Sequence, residues 1–180
     1  MDNKRKIKNL ALIGFMGTGK SSVGRIITEV LQYTFLDTDD LIEARTGKTI
    51  AEIFAQQGEP QFRELERLVV EELASRTKTV IATGGGLPVH GDNLEKLKSH
   101  SLTICLWSSP EKIYEQVRYQ SHRPLLNDPN PLAKIRQLLN ARKPFYRLAD
   151  VLVNTERRSV REVAQQVIHQ FRLAQAEHNK

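Results

Sequence analysis

Residues 7–13 form a short apolar run that stops at a glycine, and Gly14-Phe15-Met16-Gly17-Thr18-Gly19-Lys20-Ser21 follows at once. Beyond it Val23, Ile26, Ile27, Val30 and Leu31 recur at helical spacing. A buried strand, a glycine-rich turn and an amphipathic helix in immediate succession commit the chain to an α/β unit. The turn fits the pattern glycine, four residues, glycine, lysine, serine, and each fixed position has a physical reason. Glycines let the backbone curl until successive N–H groups converge on phosphate oxygens. The helix starting near Lys20 adds the positive end of its dipole. Lys20 can bring a cation to the β- and γ-phosphates of a nucleotide, and the Ser21 hydroxyl can ligate Mg²⁺. Gly17, Thr18, Gly19, Lys20, Ser21 and Ser22 are therefore the expected nucleotide-binding residues. The alternative is a glycine-rich turn that binds nothing. Chance produces the pattern in roughly one chain in two hundred of this length, and here it also falls between a strand and a helix. The loop does not choose a reaction, because ATPases, GTPases and small-molecule kinases share it.

Strand and helix signals keep alternating to the end. Residues 34–37, 79–82, 102–107 and 151–153 read as further short strands. Between them, residues 41–55 look like two short helices broken near Gly47, and residues 59–75 like a longer one with Phe62, Leu65, Leu68, Val69 and Leu73 on one side. Helices are also expected over 93–98, from Pro110 to about 119, over 132–149 with Pro144 kinking it or ending its first part, and from a Ser159 cap to about 174. Residues 121–131 hold three prolines and two asparagines and cannot be regular structure. Five apolar strands separated by helices predict a parallel sheet covered on both faces, a three-layer α/β sandwich with one mobile insertion.

At 180 residues the chain fits one domain. It has no run approaching the ~18 apolar residues of a membrane span. The charged start of the chain has no apolar stretch resembling a secretory signal, and it is too short for a transit peptide. The single cysteine, Cys105, lies in an apolar run and reads as a small core residue, so the cytoplasm is the expected compartment. A net charge of +6 raises the question of nucleic acid. Basic residues are spread along the chain, and aromatics at 6% do not alternate with them as a stacking platform requires, so no nucleic-acid partner is expected. No exposed apolar stripe is evident, which favours a monomer.

Asp37-Thr38-Asp39 closes the second strand, where open α/β sheets place their ligand crevice. If this segment is extended, residues 37 and 39 face the same side. One carboxylate would then hold Mg²⁺ and the other meet a substrate hydroxyl. Helix capping by Asp39 or Asp40 is the alternative.

The phosphate loop, Phe35-Leu36-Asp37-Thr38-Asp39, Phe62-Arg63-Glu64, Thr83-Gly84-Gly85-Gly86, Arg123-Pro124-Leu125-Leu126 and Arg142-Lys143-Pro144-Phe145-Tyr146 stand in the order and spacing found in shikimate kinases. On these motifs the chain resembles that family from about residue 10 to 171. The resemblance implies a nucleoside monophosphate kinase-like fold with a five-stranded parallel sheet of order 2-3-1-4-5. It also implies shikimate-binding helices over about 39–75 and a mobile lid over about 120–131. The implied reaction is transfer of the ATP γ-phosphoryl to the 3-hydroxyl of shikimate, with one Mg²⁺ ion, in chorismate and aromatic amino-acid biosynthesis. Arg63 and Arg142 match positions that hold the substrate carboxylate, a pairing that suits guanidinium forks. Asp39 matches the position that meets the ring hydroxyls, and Gly84, Gly85 and Gly86 line the acceptor. Asp37 joins Ser21 at the metal. Lys20, Asp39 and Arg123 are the implied catalytic residues, with Arg123 reaching the ATP phosphates from the lid. Arg118 and Arg158 match positions flanking the adenine. Glu66, one turn from Arg63, either orients it or forms a surface ion pair. Gluconate kinases share the fold and also act on a hydroxylated carboxylate, which makes them the nearest alternative.

Overall fold

The first strand, β1 (Asn9–Ile13), is wholly buried, because it lies at the centre of the sheet with a covered face on either side. The computed structural model describes residues 5–118 and 128–178. Within them β2 (Thr34–Asp37), β3 (Thr79–Ala82), β4 (Ser101–Trp107) and β5 (Val151–Asn154) complete a sheet of order β2-β3-β1-β4-β5. Every neighbouring pair is parallel, with Leu12 opposite Ala82 on one side and Ile104 on the other. The expected architecture and strand order are both present.

Alternation along β1 distributes the core. Leu10 and Leu12 meet Val23 and Ile27 of α1 (Lys20–Leu31) and Val163, Val167 and Phe171 of α7 (Val160–His178). Ala11 and Ile13 serve the opposite face. There Ala11 joins a cluster with Ile42 of α2 (Thr38–Thr46) and Val69, Val70 and Leu73 of α3 (Ile50–Leu73), together with Leu97 of α4 (Asn93–His100). Ile13 packs with Phe15, Cys105, Ile113 of α5 (Pro110–Val117) and Ile135 and Tyr146 of α6 (Pro131–Tyr146). Burial pushes the Cys105 thiol up to about 12, so it is a core group and not a nucleophile.

Two expectations need correction. The segment after β2 is not extended: Asp37 caps α2 by accepting from the Asp39 N–H, so Asp39 and Asp40 lie in the first helical turn and neither is the cap. Pro144 does not divide its helix, because it falls in the last turn of α6 and only one ladder bond is forfeited before the helix ends at Tyr146. The break near Gly47 is as expected, with φ of 64° at the end of α2, and a capping box between Thr49 and Glu52 restarts the chain as α3. Gly58, with φ of 79°, then interrupts α3 just before Pro60 and re-aims the part that carries Arg63. Among the described residues no helix is long and apolar enough to cross a membrane.

Candidate active site

The loop between β1 and α1 curls back over its own lysine. Gly14, Gly17 and Gly19 all have positive φ, and a Cβ on Gly14 would lie 2.2 Å from the Leu106 carbonyl oxygen. Lys20 is buried at 8% exposure, and its ammonium donates to the Gly14 and Phe15 carbonyl oxygens at 2.9 and 2.8 Å. Thr18 Oγ1 donates to the Phe15 oxygen at 2.8 Å and tightens the same turn. Gly19 caps α1 without a side-chain hydrogen bond, and the first turn itself carries no acidic residue, which suits the helix's positive end to an incoming anion. At the loop's far end Ser21 Oγ donates to Asp37 Oδ2 at 2.7 Å. That places a hydroxyl and a carboxylate side by side, the hard oxygen donors that a divalent ion such as Mg²⁺ accepts beside phosphate and water.

The glycine run after β3 is where the remaining predicted residues meet. A Cβ on Gly84 would lie 2.5 Å from Asp39 Oδ1 and 3.3 Å from Glu66 Oε1. On Gly85 it would lie 3.3 Å from the Met16 nitrogen in the phosphate loop and 3.5 Å from an Arg142 terminal nitrogen. On Gly86 it would meet the Arg63 guanidinium at 2.8 Å. Asp39, Arg63, Glu66 and Arg142 thus surround one stretch of bare backbone that touches the phosphate loop. The Gly84 N–H donates to Thr38 Oγ1 at 2.9 Å, which fixes the run to the start of α2. Arg142 also stacks over the Phe15 ring at 5.3 Å.

Arg63 is held from both sides. Glu59 accepts from its Nε and one terminal nitrogen at 3.1 and 2.8 Å, and Glu66 Oε2 accepts from the other at 2.7 Å. Glu66 is fully buried, which decides between the two readings of this residue: it is no surface ion pair. Burial pushes its carboxyl up to about 7; Arg63 opposes the rise and Asp39 adds to it. A carboxyl raised from its ordinary 4.5 to about 7 on folding contributes stability that is full below pH 4.5 and is lost as pH climbs through 7. Glu66→Gln removes the obligation to ionise in the interior, and Glu59 still neutralises Arg63. The variant is expected to melt several degrees above the parent at pH 8, with a flatter Tm between pH 5 and 8. Calorimetry across that range checks it; a lower Tm at pH 8 would contradict the assigned burial cost.

Several predicted residues are not part of this cluster. Arg123 lies outside the described residues, as do His122 and most of the segment expected to form a lid. Arg118 ends α5, whose Val117 packs against the phosphate loop at Gly17. Arg158 is exposed and hydrogen-bonded to Gln166. The motif spacing did not single out Thr38, Glu59 or Tyr146 as site residues. Tyr146 had a readable signal, since it stands one helical turn beyond Arg142.

A phosphate loop whose lysine is held inside it, beside a pocket with two arginines and two carboxyls on a parallel sheet of this order, defines a kinase acting on a small anionic acceptor. The family model described as shikimate kinase matches residues 16–172. The shikimate kinase of Thermodesulfovibrio yellowstonii is 40% identical over 165 residues, 92% of this chain and 95% of that protein. That of Thiobacillus denitrificans is 47% identical over 156 residues, 86% of this chain and 85% of that protein. The chain belongs to the shikimate kinase family. Among solved structures, the Acinetobacter baumannii shikimate kinase in complex with shikimate aligns with a TM-score of 0.87 at 39% identity, covering 92% of this chain and 93% of that one. A gluconokinase from Sinorhizobium meliloti aligns at 0.60 with 18% identity, covering 97% and 98%, a likeness of fold alone.

Proposed function

We propose that this kinase transfers the γ-phosphoryl group of ATP to the 3-hydroxyl of shikimate through the residues gathered at Gly84–Gly86, giving shikimate 3-phosphate and ADP. The observation that carries the assignment is the convergence of Arg63, Arg142 and Asp39 on bare glycine backbone touching the phosphate loop. A cyclic carboxylate with several hydroxyls asks for such a site: cationic forks at one end, a carboxylate acceptor for hydroxyl protons at the other, and backbone N–H groups with no side chain in the way.

In this reading Arg63 and Arg142 take the substrate carboxylate, with Glu66 and Glu59 holding the Arg63 guanidinium in place. Asp39 accepts a hydrogen bond from the attacking hydroxyl and orients it in line with the γ-phosphorus. The N–H groups from Gly17 to Ser22 cradle the phosphates, and Lys20 leaves the loop carbonyls to follow the charge that builds on the transferred group. Arg123 is assigned to the same phosphates, and Arg158 to the nucleotide, by the resemblance in sequence. The metal is proposed as one Mg²⁺, held by Ser21 and, directly or through water, by Asp37. An ion held by these two residues would offset the charge of the nucleotide's phosphates. We further propose that residues from about 39 to 75 act as the acceptor-side helices and residues 120–131 as a lid within a single domain. The chain would work as a monomer in the cytoplasm, where Cys105 stays reduced.

Product analysis tests the assignment. After reaction with ATP, Mg²⁺ and shikimate, proton–phosphorus correlation NMR is expected to place phosphorus on O3 of the ring. Release of inorganic phosphate alone, or a phosphoryl group on another hydroxyl, would overturn it.

A further inference from the structure

Helix α6 brings two side chains to the glycine run. Tyr146 lies one turn beyond Arg142 and therefore on the same side of the helix. Its ring is 5% exposed and is buried in the cluster with Ile13, Phe15, Leu94 and Cys105. Its hydroxyl donates to the Gly85 carbonyl oxygen at 2.7 Å. Burial pushes the phenol up to about 12, with the Arg142 guanidinium drawing it back, so at neutral pH the group remains a donor. Phenylalanine would fill the same apolar space, and a buried hydroxyl is unfavourable unless it is paired. The hydroxyl's contribution is therefore its bond to the glycine backbone together with its interaction with the Arg142 guanidinium.

The peptide that follows Gly85 is planar and trans, so its C=O and N–H point in opposite directions. Holding the carbonyl on the Tyr146 side turns the Gly86 N–H away from it. Gly86 is the residue beside the Arg63 guanidinium, and Gly85 is the one beside Arg142 and Met16. Glycine backbone is the most permissive in the chain, so the orientation of this peptide depends on such bonds. The Leu87 N–H closes the same turn on the Gly84 carbonyl oxygen at 3.2 Å.

We propose that Tyr146 is a positioning residue for the phosphoryl acceptor. Its hydroxyl holds the Gly85 carbonyl, orients the Gly85–Gly86 peptide toward the acceptor, and keeps that backbone in register with Arg142. The inference rests on the reading of Gly84–Gly86 and Arg142 as acceptor contacts, and it adds a residue that does not itself touch the substrate.

Tyr146→Phe removes the hydroxyl and leaves the packing. Steady-state kinetics with each substrate varied should show the shikimate KM raised roughly tenfold, the size expected when a buried carbonyl loses its hydrogen bond, with the ATP KM changed less than twofold. A purely structural strut predicts something different: a lower Tm and a smaller active fraction, which reduces apparent kcat and leaves both KM values alone. That result would overturn the proposal, and so would equal losses for shikimate and ATP. Should the variant not fold, the parent protein labelled with 3-fluorotyrosine gives a second measurement. The Tyr146 fluorine resonance is expected to shift on adding shikimate and not on adding ATP alone; no shift with shikimate overturns the proposal. If Arg142→Ala raises the shikimate KM while Tyr146→Phe leaves it unchanged, only the role of Tyr146 fails. If neither variant affects it, the acceptor site itself has been misread.

Discussion

Lys20→Ala is expected to lower kcat by a hundredfold to a thousandfold, the range seen when one preorganised donor to a transition-state charge is removed. The ammonium sits inside the loop, with the Gly14 and Phe15 carbonyl oxygens among its partners. Those are neutral groups, and they release the cation readily when phosphate oxygens with full charge arrive. Phosphoryl transfer leaves little covalent work to the protein, so a lost cation shows in the chemical step more than in binding. Shikimate affinity, measured by calorimetric titration, should remain within a few-fold, because the acceptor cluster does not include this side chain. A single-turnover rate within a few-fold of the parent would mean that the loop is a structural turn.

Arg142→Ala is expected to raise the shikimate KM by one to two orders of magnitude, as the loss of a charged hydrogen-bonding partner implies. The guanidinium stands over Phe15 and beside Gly85, so it borders the phosphate loop without contributing a donor to it. The ATP KM should therefore stay within about threefold, the residue being spent on the acceptor and not on the nucleotide. Equal damage to both substrates would refute the assignment and make the residue a support for the loop.

The parts of this architecture that were legible in the sequence are those set by local pattern. The run ending in Gly14, the helical spacing after Lys20 and the glycine at position 47 each report a local backbone requirement, and each is found where expected. The sheet order became readable through the resemblance, because no periodicity records which strands are neighbours. Asp37 and Asp39 show how a short segment misleads. An extended reading put both carboxylates on one side, yet the Asp37 side chain accepts the Asp39 N–H and starts a helix there. The two carboxylates go to different neighbours, Asp37 to Ser21 of the phosphate loop and Asp39 to Gly84 of the glycine run. Arg63, Gly85 and Arg142 are far apart in the chain, and only tertiary packing joins them, so spacing alone was silent about the cluster. The state of Glu66 was equally hidden: an i, i+3 pair on a helix looks the same in sequence whether it is solvated or, as here, fully buried.

The most direct test of the acceptor assignment is a coupled ADP-release assay with shikimate, gluconate and AMP offered separately at equal concentration with ATP and Mg²⁺. The arginine-flanked glycine run predicts rapid, saturable turnover with shikimate and rates near background with the other two. Negligible turnover with shikimate, or faster turnover with gluconate or AMP, would contradict it.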